Sequence, residues 1–233
     1  SALSNNTIGS HNVGLGTNAL TKNTTGNYNV GIGNATLTNN AAGMANVAIG
    51  NLSLVSNNGG NYNVAVGNEA LGSNTSGAYN IALGTSTLTS NTTGQHNNAQ
   101  GLNALQSNTV GNNNIALGNG SGGWVKGHNN IHIGSANFQS ISTGELDNVI
   151  AIGNGIGSGA LTTANSNDNT IILGHQNGHS FSPNIGIGTY KPDSKVHIVT
   201  NGPNAIKIQD TNQGVGKVLT SDANGVGTWK EPA

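Results

Sequence analysis

The pentapeptide Asn12-Val13-Gly14-Leu15-Gly16 decides the fold, because close relatives of it return along the chain at a spacing of 17 residues. The repeats begin at Asn12, Asn29, Asn46, Asn63, Asn80, Asn97 and Asn114. A fixed short period is typical of a solenoid, in which each repeat forms one coil that buries its apolar residues only against neighbouring coils. The sequence therefore predicts an all-β fold, a parallel β-solenoid or β-roll of 17-residue coils.

The rest of each repeat is also regular. A leucine, an asparagine and a glycine recur on the same register, first at Leu20, Asn23 and Gly26. This pattern predicts a coil made of a strand, a glycine turn, a second short strand and an Asn/Gly-rich turn. Glycine suits turns that need positive φ, and asparagine tolerates that region better than most residues. Stacked coils would align identical side chains in ladders about 4.8 Å apart.

The repeated strand alternates large and small residues, as in Val47-Ala48-Ile49, which predicts Val and Ile on one face and Ala or Gly on the other. The large apolar residues of one coil barely offset the conformational entropy of ordering it, at about 1.5–3 kcal/mol per buried aliphatic side chain against about 1–2 kcal/mol per ordered residue. Self-association would supply the missing burial. We expect the small face to admit another backbone; the alternative is that small residues merely fit a tight coil interior.

The period divides the chain into three segments. Residues 1–118 are the regular solenoid, and in residues 119–182 the motif continues with insertions that lengthen the loops. Residues 183–233 hold all four prolines and most of the charged residues, and are predicted to form a small β-rich C-terminal module with strands at 195–199 and 205–209. Because the chain begins within a repeat, we expect it to be a piece of a longer protein.

Composition narrows the classes of partner. Charged residues are 6% of the chain and the net charge is −1, so there is no basic surface for nucleic acid. No apolar run reaches membrane-spanning length, and we expect no membrane insertion. The absence of cysteine excludes a disulfide framework and thiolate metal sites.

The inventory of reactive side chains argues against an enzyme. Acid–base catalysis needs placed carboxylates or a partnered histidine, and the regular array has a single carboxylate, Glu69. Three pairs are candidate cation ligands: His128 with His132, His175 with His179, and Glu145 with Asp147. A spacing of four aligns ligands on a helix, whereas these histidines lie among strands and turns. We therefore predict no catalytic residue, no cofactor and no metal site.

Two features could carry binding or assembly. The first is an aromatic ladder just before the repeated asparagine, interrupted at Ala45 and Asn113: His11, Tyr28, Tyr62, Tyr79 and His96. Its rings could stack on sugars or simply cover the coil edge. The second is the polar pair Asn98 and Gln100, which replaces the apolar residues of one strand. It could form a polar axial layer in a symmetric oligomer, fixing register or holding an ion or water, or it could face solvent.

The Asn-Val-Ala-Ile-Gly repeats resemble the head of trimeric autotransporter adhesins, a left-handed parallel β-roll, and similar repeats occur in bacteriophage tail fibres. The C-terminal runs at 184–198 and 216–229 resemble fibre proteins. The resemblance implies a parallel homotrimer that serves as the shaft or head of a phage tail fibre or related appendage, on the virion or a cell surface. Its implied partners are itself, other fibre or tail proteins, and a host-surface glycan or protein. The alternatives are a bacterial trimeric surface adhesin and a monomeric solenoid that binds ice or polysaccharide.

Overall fold

A computed structural model of the 233-residue chain describes residues 1–138, 146–156, 171–173, 185–187, 194, 196–199, 214–223 and 226–232. Within these ranges no helix is long and apolar enough to cross a membrane. The chain divides into two compact units, Ser1–Pro183 and Asn184–Ala233. The strands are β1 (Val13–Leu15), β2 (Val30–Ile32), β3 (Val47–Ile49), β4 (Val64–Val66), β5 (Ile81–Leu83), β6 (Asn98–Gln100), β7 (Ile115–Leu117), β8 (Ile131–Ile133), β9 (Ile150–Ile152), β10 (Ile171–Leu173), β11 (Ile185–Ile187), β12 (Val196–Ile198), β13 (Val218–Ser221) and β14 (Gly227–Lys230).

The first unit is a parallel β-solenoid, as the period predicts. Strands β1 to β10 form one parallel sheet in sequence order, and each pairs in register with the same motif of the next coil, as Ala48 does with Ala65. Paired residues are 17 apart from β1 to β7, and then 16, 19 and 21 apart at the next three steps. The sheet is therefore continuous across the region where the sequence period is lost.

The middle residue of each strand points into the coil, and its two neighbours point outward. Ala48, Ala65 and Ala82 are fully buried, whereas Val47 is half-buried and Ile49 is exposed. The expectation that the small residues form an association face is therefore wrong. They are small because the opposite wall of the interior lies close: a Cβ on Gly31 would lie 3.1 Å from Thr36 Oγ1 of its own coil and 3.4 Å from Leu20 Cγ of the preceding coil. The outward face of the sheet is the one that carries Val, Ile and Leu.

A buried leucine column forms the other wall of the interior. Its members are Leu20, Leu37, Leu54, Leu71, Leu88 and Leu105. The second short strand predicted around these leucines is not found, because positive φ recurs at alternate residues, as at Leu52 (58°) and Leu54 (48°). The coils still bond to each other here: the Leu52 amide donates to the Asn34 carbonyl at 3.0 Å, and the Leu54 amide donates to the Ala70 carbonyl at 3.0 Å.

Two buried asparagine ladders tie neighbouring coils together. In the first, Asn57 Nδ2 donates to Asn40 Oδ1 of the preceding coil at 2.7 Å and to the Gly60 carbonyl at 3.0 Å. The second runs through the asparagine that opens each repeat, as at Asn63 and Asn80. These recurring asparagines stabilise the fold by buried hydrogen bonds. The glycine that ends each repeated motif has positive φ as expected, as at Gly50 and Gly67, and the leucines have it as well.

The second unit contains two small β-structures in its described residues. Strands β11 and β12 form a parallel pair, and β13 and β14 form an antiparallel hairpin. At the turn of the hairpin the Val226 amide donates to Asp222 Oδ1 at 2.9 Å, and the Asp222 amide donates to the Val226 carbonyl at 3.0 Å. The strand predicted at 195–199 corresponds to β12, while that at 205–209 lies outside the described residues.

Candidate functional site

The outward side chains of β1 to β10 form an apolar face that is interrupted at β6. Both outward positions of every strand hold Val, Ile or Leu, with the exception of β6. Many of these side chains reach solvent: Val13 is 51% exposed and Ile152 is 42% exposed. Scattered exposed aliphatic residues are ordinary, but an uncharged stripe that is apolar on nine of ten neighbouring strands is the kind of surface that marks an interaction site.

Strand β6 places a polar pair in the middle of the apolar face. Asn98 and Gln100 point outward, as Ile81 and Ile115 do on the neighbouring strands. Gln100 Nε2 donates to Asn98 Oδ1 at 3.2 Å, so the two side chains satisfy each other only in part. In a single chain Asn98 is half-buried and Gln100 is exposed, so solvent can reach both side chains.

The aromatic ladder lies along one edge of the coils, and its adjacent rings stack. The centroids of His11 and Tyr28 are 4.7 Å apart with an interplanar angle of 12°. Those of Tyr62 and Tyr79 are 5.0 Å apart at 7°, and those of Tyr79 and His96 are 4.9 Å apart at 1°. The rings remain open to solvent, since Tyr28 is 60% exposed and Tyr62 is 49% exposed. The ladder is thus a column of face-to-face rings, broken where Ala45 supplies only a methyl group.

His132 is a core residue that sequence reasoning misplaced among candidate ligands. It occupies the small-residue position of β8, where its neighbours across the sheet are Ala116 and Ala151. The space for its ring comes from Gly122, which takes the place of a leucine in the buried column: a Cβ there would lie 2.9 Å from His132 Cδ2. The ring packs edge-on against Phe138 at 5.0 Å and 71°. The register signalled this exchange, because Gly122 follows Leu105 by 17 residues.

The electrostatic state of His132 follows from its burial. Neither ring nitrogen has a hydrogen-bond partner, and desolvation lowers the pKa of the imidazole from its ordinary 6.5 to about 4. His128, by contrast, is half-buried at a turn, where its Nδ1 accepts from the Asn112 amide at 3.1 Å. The two histidines therefore lie in different environments and do not converge on one cation.

Acidification is expected to destabilise the solenoid through His132. The unfolded chain binds a proton near pH 6.5, but the folded chain binds it only near pH 4. Stability from this group is therefore complete above pH 6.5 and falls by about 3 kcal/mol as the pH drops to 4. Denaturant unfolding across this range should show a weaker pH dependence in His132→Leu than in the native chain. The exposed His11→Asn is the control and should retain the native dependence; equal slopes in all three proteins would contradict the assignment.

The remaining candidate cation ligands, and two aromatic residues of the irregular region, lie in different places. Phe138 fills the leucine column, whereas Trp124 is 52% exposed. Asp147 Oδ1 accepts from the His128 amide at 2.6 Å. Glu145, His175 and His179 lie outside the described residues. Within the part of the chain that the structure describes, no group of three or more His, Cys, Asp or Glu side chains is placed to hold a metal ion.

The geometry of the solenoid is compatible with a fibrous or adhesive structural role. It offers long side-chain ladders, an apolar face and a polar edge with exposed rings. No protein-family model, curated protein or solved structure matches the chain.

Proposed function

We propose that the chain is a segment of a homotrimeric fibre, the shaft or head of a phage tail fibre or related receptor-binding appendage. The observation that carries the proposal is the apolar face of β1 to β10. Burying such a surface contributes about 25 cal/mol per Å² of apolar area, and leaving it in water favours association. A second copy of the chain is the partner that fits this face best.

A second copy fits this face because it has the same repeat length. A copy packed in parallel presents Val, Ile and Leu at the same coil-to-coil spacing, so the two faces stay in phase along the sheet. A partner with another repeat length would drift out of phase after a few coils. Rotational symmetry closes such an assembly and covers one face of every chain. Three copies is the number found in the adhesin heads that the repeats resemble.

Asn98 and Gln100 gain a role in this arrangement. Inside a trimer their amides would lose water, and the single hydrogen bond between them satisfies only part of their donors and acceptors. The remainder would have to bond to the same residues of the other chains, or to enclosed water or an ion. Because a mismatched register would leave them unsatisfied, this polar axial layer selects one axial alignment of the chains.

The proposed mechanism is mechanical and needs no chemical step. Backbone and asparagine ladders stiffen the coils, trimerisation covers the apolar face, and the exposed edges carry weak contact groups in three copies. Simultaneous contacts then raise the overall affinity for a surface without any strong single site. The partners proposed are other fibre or tail proteins and a glycan or protein of the host surface, outside the cell.

Native mass by light scattering tests the proposal. We expect the mass of three chains, unchanged by dilution, for the native protein. Ile49→Glu should lower that mass, because it would bury three unpaired carboxylates against one another. Asn51→Glu is the matched control, since it adds the same charge to an exposed ladder beyond the strand, and it should keep the trimer mass. A native monomer, or a trimer that tolerates Ile49→Glu, would overturn the proposal.

A further inference from the structure

We infer that the interruption of the aromatic ladder at Ala45 is a binding site for one neutral pyranose ring of a glycan. We call it the Ala45 gap: it is bounded by the ring of Tyr28 on one side, the ring of Tyr62 on the other and the Ala45 methyl group at its base. The inference assigns a class of ligand to the proposed adhesive role, and to that extent it rests on the proposed function. The gap itself is formed by residues of one chain and does not depend on trimer formation.

The gap has the depth of one missing ring. Adjacent rings in the ladder are 4.7–5.0 Å apart, one ring for each coil. Tyr28 and Tyr62 are two coils apart, which places their rings about 9.6 Å from each other. A single ring fills the same span elsewhere in the ladder, since Tyr79 lies 5.0 Å from Tyr62 and 4.9 Å from His96. A pyranose ring is at least as thick as a flat aromatic ring, and one such ring therefore fits the gap.

Local backbone preference does not account for the aromatic residues. Every ladder position has φ between 55° and 59°, a region that bulky side chains avoid. Later coils place Asn113, Asn129 and Asn148 at the equivalent position, and asparagine is the residue suited to that conformation. The tyrosines also gain little from burial, since Tyr28 and Tyr62 keep about half of their surface in solvent. Stacking on His11 and on Tyr79 accounts for one face of Tyr28 and of Tyr62. The opposite face of each ring, toward Ala45, has no ring partner, and a ligand would supply that contact.

The lining of the gap suits an uncharged ligand with hydroxyl groups. The array has two charged residues, Lys22 and Glu69, and neither belongs to the ladder or to the columns beside it. Asn61 precedes Tyr62, and its Oδ1 accepts from the amide of Met44, the residue before Ala45, at 2.8 Å. Among the described residues no acceptor pairs with Asn61 Nδ2, which is left to donate to a hydroxyl. The faces of the tyrosine rings would contact the C–H faces of a sugar, while the hydroxyl groups of the sugar point to water and to this amide.

The test is saturation-transfer NMR on the full chain with methyl glycosides of glucose, galactose, mannose and N-acetylglucosamine, and with phenol as a flat aromatic probe. The protein is saturated through its aliphatic methyl protons. We expect transfer to ring C–H protons of at least one glycoside, and at least about tenfold weaker binding for Ala45→Tyr and for Tyr62→Ala. Ala45→Tyr is the decisive variant, because it fills the gap with a residue that other coils already accept at this position. Asn113→Tyr adds a ring elsewhere on the ladder and should bind as the native chain does.

Three outcomes would overturn the inference: no glycoside binds, Ala45→Tyr binds as well as the native chain, or only phenol binds. Native mass measured on the same samples separates this result from the fibre proposal. A trimer that binds no glycoside refutes the site alone, and a monomer whose glycoside binding is lost in Ala45→Tyr refutes the fibre alone.

Discussion

Gly67→Ala is expected to destabilise the solenoid by at least about 3 kcal/mol. Gly67 has φ of 140°, and a Cβ built on it would lie 2.4 Å from the carbonyl oxygen of Gly84 and 2.5 Å from its carbonyl carbon. Both atoms belong to the backbone of the next coil, so no side-chain rotation relieves the clash. The same close approach recurs at the corner of the other coils, as at Gly50 and Gly101. One alanine would therefore force two coils apart.

Gly59→Ala provides the matched control for this prediction. No heavy atom lies within 4 Å of a Cβ built there, and its φ lies outside the left-handed region. The same substitution should thus be neutral or stabilise by up to about 1 kcal/mol through the unfolded chain. Unfolding followed by circular dichroism at one fixed protein concentration compares the two, because assembly makes stability depend on concentration. Equal midpoints for both variants would mean that the corner backbones are not in contact.

Asn80→Ala is the second substitution for which we expect a large effect, a loss of about 3–5 kcal/mol. The Asn80 side chain donates to the Gly94 carbonyl at 2.8 Å and to Asn63 Oδ1 at 3.1 Å. Its Oδ1 accepts from both the backbone amide and the side-chain amide of Asn97, at 3.0 and 3.1 Å. Alanine would leave the Gly94 carbonyl and the Asn97 amide groups buried without these partners. Since each coil depends on its neighbours, the damage spreads to the adjacent coils.

Asn51→Ala tests whether the stability lost in Asn80→Ala comes from the burial of the asparagine ladder or from its hydrogen bonds alone. Asn51 also belongs to an asparagine ladder, accepting from Asn34 Nδ2 and donating to Asn68 Oδ1, each at 2.9 Å. This ladder is exposed, so water replaces the lost partners and we expect a loss below about 1 kcal/mol. Thermal and denaturant unfolding of both variants measures the difference. If Asn51→Ala costs as much as Asn80→Ala, desolvation is not what makes the inner ladders strong.

Several features follow from the sequence alone, because one spacing governs them. A repeat of 17 residues places equivalent residues in columns, so the parallel register of β1 to β7 and the stacking positions of Tyr62 and Tyr79 are implied before any coordinates. Alternation of large and small residues likewise identifies two faces on each strand. Even the exchange at Gly122 can be read from the register, since a glycine stands where the column calls for leucine.

Only the tertiary structure decides which face is inside. The alternation in Val47-Ala48-Ile49 defines two faces of the strand but does not say which one is buried. Ordinary hydrophobic reasoning would bury the larger residues. The coil closes so tightly that Ala48 and the leucine column fill its interior, which leaves Val47 and Ile49 outside. The same closure holds Leu54 at φ of 48° against its local preference, because packing and coil-to-coil hydrogen bonds outweigh the strain of one residue. Sequence thus determined the columns, and the distance between opposite walls of the coil determined which of them face solvent.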